Sequence, residues 1–248
     1  MHILVTRPEP DASQLGERLA ALGHDVYIEP MTDVSFDTGE EIELDEVQAL
    51  IATSRNGVRA LARSPALEIA CRLPLYAVGP GTAAAARAAG IAQVIAGGSD
   101  AAALLPLLAE RAEANGGALL HLAGDRLAFD LAGELSDLGF TVLQPMVYRS
   151  EAATAFSEEL IGCLEQGEIE AVMLMSPRTA QIFGGLMARH DLTHTAERLT
   201  FFCLSEAVAH QIARLGGGRV VVAKQPNLQE MLCLVADVAA KSGPSVGN

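Results

Sequence analysis

The chain has little of what a nucleic-acid surface requires. Tryptophan is absent, aromatic residues make up 4% of the 248 residues, and 17 basic residues stand against 31 acidic ones, for a formal charge of −14. Nucleic-acid binding without sequence preference needs basic side chains for the phosphates and often aromatic rings for base stacking. The composition therefore excludes a non-specific nucleic-acid binder, and no nucleic-acid partner is expected.

Signals of several other protein classes are also missing. No apolar run approaches the ~20 residues of a membrane span, and the opening "MHILVTRPEP" lacks the pattern of an export signal, so we expect a cytoplasmic protein without a membrane partner. The four cysteines are widely spaced with no CxxC, which favours reduced core thiols over a disulfide or zinc framework. There is no zincin motif, Walker A loop or GxSxG elbow, and no metal site is expected.

What the chain does contain is a regular alternation of two patterns. Short apolar runs such as "HILVT" and "LYAVG" are followed by helical patterns such as "ASQLGERLAALG" and "TAAAARAAG", and the rhythm continues through "AVMLM" and "TFFCL". Half of the residues are hydrophobic, which is enough for a substantial core. Strand–helix alternation predicts an α/β fold with parallel sheets and helices on both faces.

The two halves of the chain also resemble each other in three blocks. Residues 49–61 align with 171–183, residues 76–99 align without gaps with 202–225, and "ILVTRPEPDASQLGERLAALGHDV" resembles "LLHLAGDRLAFDLAGELSDLGFTV". The order A-B-C-A-B-C predicts two similar α/β domains. The repeat permits two continuous domains, and it equally permits a first domain built from block A of the first copy with blocks B and C of the second.

A glycine loop raises the possibility of a nucleotide site. "GPGTAA" at 79–84 fits G-x-G-x-x-A, but the equivalent "LSEAVA" has no glycine, and this motif normally opens the first βαβ unit of its domain. The remaining feature is a helix N-terminus at Gly81 and Thr82, which suits a carboxylate or phosphate. An NAD(P)-dependent enzyme and a non-catalytic two-domain protein that binds a small anion stay open as alternatives.

Hydroxyl and cationic side chains recur where predicted strands end and helices begin. A single serine at such a position is explained by an N-cap, but ligands of open α/β sheets bind at this edge. Together they predict a cleft lined by hydroxyls and helix N-termini that suits a ligand with several carboxylates. The set consists of Thr6, Arg7, Thr53, Ser54, Ser176, Arg178 and Ser205.

The ordered set "ILVTRPEP", "ATSRNGVRAL", "YAVGPGTAAAARAAG", "PMVYRS", "SPRTAQIF" and "LSEAVAHQIARLG" resembles the uroporphyrinogen-III synthase family over nearly the whole chain. The resemblance implies two α/β domains joined by a two-stranded ladder, with the first domain discontinuous. The implied bounds are 1–34 with 151–248 for domain one, 40–145 for domain two, and 35–39 and 146–150 for the linkers. The implied activity is that of a hydro-lyase of haem biosynthesis, which cyclises the linear tetrapyrrole hydroxymethylbilane, inverts its ring D and eliminates water.

The resemblance also implies which residues form the site. Tyr148, on a strand predicted over "TVLQPMVYRS", matches the family's prominent active-site tyrosine and is the expected catalytic residue. At "HLAGDR" the chain has Ala123-Gly124 where the family often has Arg-Gly, and Arg126 is the candidate replacement for that arginine. The expected substrate-binding residues are Arg7, Thr53, Ser54, Gly81, Thr82, Arg126, Ser176, Arg178 and Ser205.

The same resemblance implies the partners of the chain. No metal and no organic cofactor are expected. The expected partners are the tetrapyrrole substrate and, in transient contact, the preceding enzyme of the pathway. The expected form is a monomer.

Overall fold

The computed structural model describes residues 1–98 and 100–242, which divide into two compact units. Unit 1 combines the residues up to Asp33 with those from Glu151 onward, and unit 2 runs from Val34 to Ser150. The predicted fold class, two similar α/β domains with the first one discontinuous, is confirmed.

The described residues form the following elements. The strands are β1 (His2–Val5), β2 (Asp25–Ile28), β3 (Thr32–Ser35), β4 (Val47–Ala52), β5 (Leu75–Ala77), β6 (Val94–Ala96), β7 (Ala118–His121), β8 (Ala123–Gly124), β9 (Val142–Leu143), β10 (Met146–Ala152), β11 (Ala171–Leu174), β12 (Thr200–Cys203) and β13 (Arg219–Val222). The α-helices are α1 (Asp11–Ala21), α2 (Arg55–Arg63), α3 (Leu67–Ala70), α4 (Gly79–Ala88), α5 (Leu104–Arg111), α6 (Leu131–Asp137), α7 (Glu158–Gln166), α8 (Pro177–Arg189), α9 (Glu206–Ile212) and α10 (Leu228–Ser242). Short 3-10 turns cover Thr193–Arg198 and Ala213–Leu215.

Both units contain a five-stranded sheet with the same topology. The order is β13-β12-β11-β1-β2 in unit 1 and β6-β5-β4-β7-β9 in unit 2, and the pairs are parallel. The registers also correspond, since Met173 lies opposite Val5 in one sheet and Ile51 lies opposite His121 in the other. Strands β1 and β2 belong to the first copy of block A, and they share a sheet with β11 to β13, which belong to the second copies of blocks B and C. The second of the two groupings that the repeat permits is therefore the correct one.

Each sheet has a core on both faces, because successive side chains of a strand point to opposite sides. In unit 2, Leu50 belongs to a cluster with Leu61 of α2, whereas the next residue, Ile51, belongs to a cluster with Leu104 of α5 and Leu131 of α6. Unit 1 is divided in the same way. The strands are therefore apolar almost throughout, as strands covered on both faces must be.

A separate three-stranded sheet has the order β3-β10-β8. The boundaries between the units fall within β3 and β10, and β8 lies parallel to β10 with Gly124 opposite Tyr148. The single strand predicted over "TVLQPMVYRS" is wrong in detail, because it is divided into β9 and β10. Pro145 stands at the break, where a residue without an N–H cannot donate to a ladder.

Candidate active site

The strand order of unit 2 changes direction between β4 and β7. In open α/β sheets, ligands bind outside the carboxyl ends of the strands at such a switch point. The structure has a pocket of about 530 Å³ there. Most of the residues that carry its polar groups follow β4, end or follow β7, or lie on β10, and these are Thr53, Ser54, His121, Arg126 and Tyr148; Asp100, which follows β6, also lines it.

Two predicted substrate-binding hydroxyls come together at this pocket. Ser54 is the N-cap of α2, and its Oγ accepts a hydrogen bond from the N–H of Asn56 at 3.1 Å. That bond uses a lone pair and leaves the hydroxyl proton for another acceptor. Thr53, half-buried, places its Oγ1 3.1 Å from Nε2 of His121. Both hydroxyls therefore suit an anionic group in the pocket.

His121 is a pocket residue that the sequence analysis did not identify. The residue is 2% exposed, and this burial lowers the pKa of its imidazole to about 4, although the side chain of Gln144 acts in the opposite direction. Its Nδ1 makes no hydrogen bond to the described residues. The imidazole is therefore neutral at physiological pH. The only signal in the sequence was a single histidine within the apolar run "ALLHL".

Tyr148, the predicted catalytic residue, packs its ring against the backbone of Gly124. A Cβ atom at Gly124 would lie 2.6 Å from Cε2 and 2.7 Å from Oη of Tyr148, with Cζ closer still. The N–H of Asp125 donates to the carbonyl of Tyr148 at 3.1 Å, and its Oδ1 accepts from the N–H of Ser150 at 2.9 Å. The hydrogen bonds of Asp125 thus hold the main chain of β10 around Tyr148. The lack of a side chain at Gly124 leaves room for the tyrosine ring.

Arg126 supplies the cationic group of the pocket. Its side chain is 72% exposed, and its Nε lies 3.8 Å from Oδ2 of Asp125. An exposed ion pair of this kind is weak, so the guanidinium can turn from Asp125 to a ligand at little cost.

The other two predicted residues of unit 2, Gly81 and Thr82, are not among the residues that line this pocket. Helix α4 begins at Gly79, so Thr82 lies within its first turn, and its side chain is buried. Gly79 donates its N–H to the carbonyl of Gly98, and Pro80 has none. Gly81 is thus the one member of the first three helical residues that can offer an N–H to a ligand. The glycine loop also follows β5 and not the switch point, which removes the support for a dinucleotide site.

The predicted residues of unit 1 occupy the equivalent edge of its sheet. Ser176 is the N-cap of α8, accepting from the N–H of Thr179 at 3.1 Å, and its Oγ lies 2.7 Å from the hydroxyl of Thr179. Arg178, in the first turn of α8, is half-buried. Ser205 is the N-cap of α9 but makes no side-chain capping bond. Its hydroxyl is therefore not used to cap that helix.

The guanidinium of Arg7 forms a buried ion pair, unlike the exposed guanidinium of Arg126. Arg7 is buried, and its Nη2 donates to Oδ2 of Asp11 at 2.8 Å. A buried carboxylate beside a guanidinium neutralises much of the charge that a ligand anion would meet. This geometry makes Arg7 a weaker anion contact than its sequence position indicated.

The described residues offer neither a metal site nor a membrane-spanning helix. Within residues 1–98 and 100–242 there is no group of three or more His, Cys, Asp or Glu side chains that could hold a metal ion. Within the same ranges, every helix is too short or too polar to cross a membrane.

Comparison with known proteins gives a family and a fold. A family model described as "Uroporphyrinogen-III synthase HemD" matches residues 13–233. The structure of uroporphyrinogen-III synthetase from Helicobacter pylori is 18% identical and has a TM-score of 0.63, covering 96% of this chain and 99% of that one. A mutant uroporphyrinogen III synthase from the extreme thermophile Thermus thermophilus is 20% identical with a TM-score of 0.58, covering 98% of this chain and 100% of that one. At such identities the solved structures show the fold alone, and no curated protein gives a match.

Proposed function

This chain belongs to the uroporphyrinogen-III synthase family of haem biosynthesis, and we propose that it acts as a hydro-lyase on hydroxymethylbilane. The reaction closes the linear tetrapyrrole, inverts its last ring and releases water. The observation that carries the proposal is the pocket at the switch point of unit 2, where the predicted catalytic Tyr148 lines the same cavity as the hydroxyls of Thr53 and Ser54.

The proposed role of Tyr148 follows from what the reaction needs. A pyrrole nitrogen pushes hydroxide from the hydroxymethyl carbon and leaves an azafulvene cation, so the departing oxygen needs a hydrogen-bond donor. A phenol O–H is such a donor. The electron-rich substrate supplies much of the driving force, and the protein mainly orients the reacting ends. A site with few ionisable catalytic groups fits that demand.

The substrate's carboxylates require donors, because a chain with a formal charge of −14 does not attract anions over long distances. In unit 2 we assign this role to the hydroxyls of Thr53 and Ser54, the guanidinium of Arg126 and the N–H of Gly81. Hydrogen bonds from such groups to a carboxylate are stronger than neutral ones. The corresponding contacts proposed for unit 1 are Arg7, Ser176, Arg178 and Ser205.

The remaining parts of the proposal concern the working form of the enzyme. We propose a monomer that needs no metal or organic cofactor and that receives its unstable substrate in transient contact with the preceding enzyme. The free thiols of Cys71, Cys163, Cys203 and Cys233 fit the reducing cytoplasm that we propose as its location.

One assay tests the activity directly. The protein is incubated with freshly prepared hydroxymethylbilane, the products are oxidised, and the isomers are separated. Spontaneous closure gives isomer I, so we expect an excess of isomer III only with the native protein and not with a heat-denatured control. EDTA should leave that excess unchanged. Isomer I alone, formed at the rate seen in buffer, would refute the proposal.

A further inference from the structure

The imidazole of His121 occupies a position where the fold needs no polar group. The two sheets have the same order, and their registers place His121 opposite Ile51 where Val5 lies opposite Met173. Val5 is fully buried and belongs to the core of unit 1. Burying a polar group without full hydrogen bonding costs stability that a valine would not. The histidine therefore needs an explanation other than packing.

The hydrogen bonding of this imidazole identifies the nitrogen that carries the proton. Nε2 lies 3.1 Å from Oγ1 of Thr53, whereas Nδ1 is buried and makes no hydrogen bond to the described residues, although the side chain of Gln144 is near enough to raise the pKa of the imidazole. A neutral imidazole has one N–H, and a buried N–H without an acceptor is rarer in proteins than an under-used acceptor. The proton therefore belongs on Nε2, from which it is donated to Thr53.

This arrangement fixes the direction of the threonine hydroxyl. A hydroxyl that accepts from Nε2–H keeps its own proton for another acceptor, and Thr53 is half-buried at the wall of the pocket. His121 also lines the pocket but is only 2% exposed, so we expect it to act on a ligand mainly through Thr53. The hydroxyl of Thr53 is thus an oriented hydrogen-bond donor without a formal charge.

We propose that His121 is a positioning residue that makes the Thr53 hydroxyl a hydrogen-bond donor to a carboxylate of the substrate. The inference rests on the proposed function, because the carboxylate is assigned to hydroxymethylbilane. A carboxylate contact is made in the bound substrate and in the transition state alike. Its loss therefore raises KM and leaves kcat nearly unchanged.

The test compares three substitutions of His121 that keep different parts of the imidazole. His121→Val installs the residue of unit 1, His121→Gln places an amide near the position of Nε2, and His121→Asn places one near Nδ1. We expect KM to rise about three- to tenfold in the Val and Asn variants, the usual range for one hydrogen bond. The Gln variant should stay within about twofold of wild type, because its amide can still donate to Thr53.

Urea unfolding separates this role from a structural one. If His121 only supports the fold, His121→Val should lower the unfolding midpoint along with activity, whereas we expect a midpoint at least as high as that of wild type. Thr53→Val should raise KM to a similar extent, and the double variant should be no worse than either single one, because both remove the same donor.

The tautomer gives a readout that does not need the substrate. Nitrogen-15 NMR of the full chain, with His121→Val to assign the signal, should show the proton on Nε2. A proton on Nδ1, a wild-type KM for His121→Val, or additive effects in the double variant would overturn the proposal. A wild-type protein that yields no excess of isomer III would instead overturn the proposed function, and His121 would then lose its assigned ligand.

Discussion

Replacing Gly124 with alanine should damage catalysis much more than it damages the fold. The added Cβ would lie 2.6 Å from Cε2 and 2.7 Å from Oη of Tyr148, and ordinary contact begins at 3.4 Å. The ring must therefore retreat by nearly 1 Å. Because the atoms that clash lie at the far end of a side chain on a half-buried strand, rotation of the ring can relieve the clash.

The size of the two effects follows from that displacement. Overpacking a protein interior costs about 1–3 kcal/mol, and here we expect about 1 kcal/mol, since the ring can move. A displacement of about 1 Å at a reacting group can cost up to ~10²-fold in rate. We therefore expect kcat for isomer III formation to fall about 10- to 100-fold in Gly124→Ala, with only a small shift in the urea midpoint.

The matched control is Gly185→Ala. Gly185 lies within helix α8, and no atom lies within 4 Å of a Cβ built there. Alanine is the better helix former by about 1 kcal/mol, so this variant should be equally active and equally or slightly more stable. It shows that a glycine-to-alanine change as such does not affect the assay.

A double-mutant cycle with Tyr148→Phe tests whether the effect passes through the phenol. If Gly124 acts by positioning the hydroxyl of Tyr148, its substitution should cost little once that hydroxyl is gone. The reasoning is refuted if Gly124→Ala keeps wild-type kcat, or if its loss is the same in the Tyr148 and Phe backgrounds.

Three further outcomes are expected. Tyr148→Phe should lower the rate of isomer III formation ~10²-fold or more, the scale of one general acid, with little change in stability; full activity would mean that the ring only packs. Because the pKa of His121 is about 4 in the fold and ~6.5 when unfolded, the unfolded chain takes up its proton first as the pH falls. Between pH 6.5 and 4, urea titrations should show the wild type losing about 3 kcal/mol more than His121→Val, and parallel curves would contradict the burial of the imidazole. Iodoacetamide should modify the exposed Cys233 first and should reach Cys203, whose buried thiol has a pKa of about 12, only after unfolding; peptide mapping by mass spectrometry decides.

Much of the fold could be predicted because local patterns determine it. Apolar runs of four to six residues became strands such as β4 and β11, and the repeat predicted that the two units would share one topology. The repeat alone could not decide the grouping of the blocks, which only the family resemblance implied, because the grouping depends on pairing between distant segments. Ile3 lies opposite Ala171, and no local propensity specifies that contact.

Site residues could be predicted from the sequence only where they directly follow the end of a strand. Thr53 and Ser54 directly follow a buried strand, so their place at the edge of the sheet follows from the alternation of strands and helices. Thr82 was expected at a helix start, but the helix begins at Gly79, whose φ of 71° favours glycine. The preceding residues thus place Thr82 inside the first turn of the helix and not at its cap, and its side chain is buried there.

The partners of Tyr148 and Thr53 were missed for a related reason. Gly124 matters because β8 pairs with β10 and brings its backbone under the ring, and a two-residue strand leaves almost no periodic signal. His121 looks like a core residue in its own apolar run. The aligned repeat already placed Val5 over His121, but the register of both sheets is what shows that the two residues occupy equivalent buried positions.

The internal duplication therefore separates what folding requires from what the site requires. Both units pack their cores around sheets of the same strand order. Where the two units have different residues at the switch point, the shared fold therefore does not require either one. At His121 and Gly124 unit 2 departs from Val5 and Pro8, the aligned residues of unit 1, and both departures act on pocket groups, Thr53 and Tyr148. In unit 1 the equivalent segment instead contains Arg7, whose charge is paired with Asp11. We accordingly propose that unit 2 supplies the groups that orient the donors and the leaving oxygen, and that unit 1 contributes substrate binding.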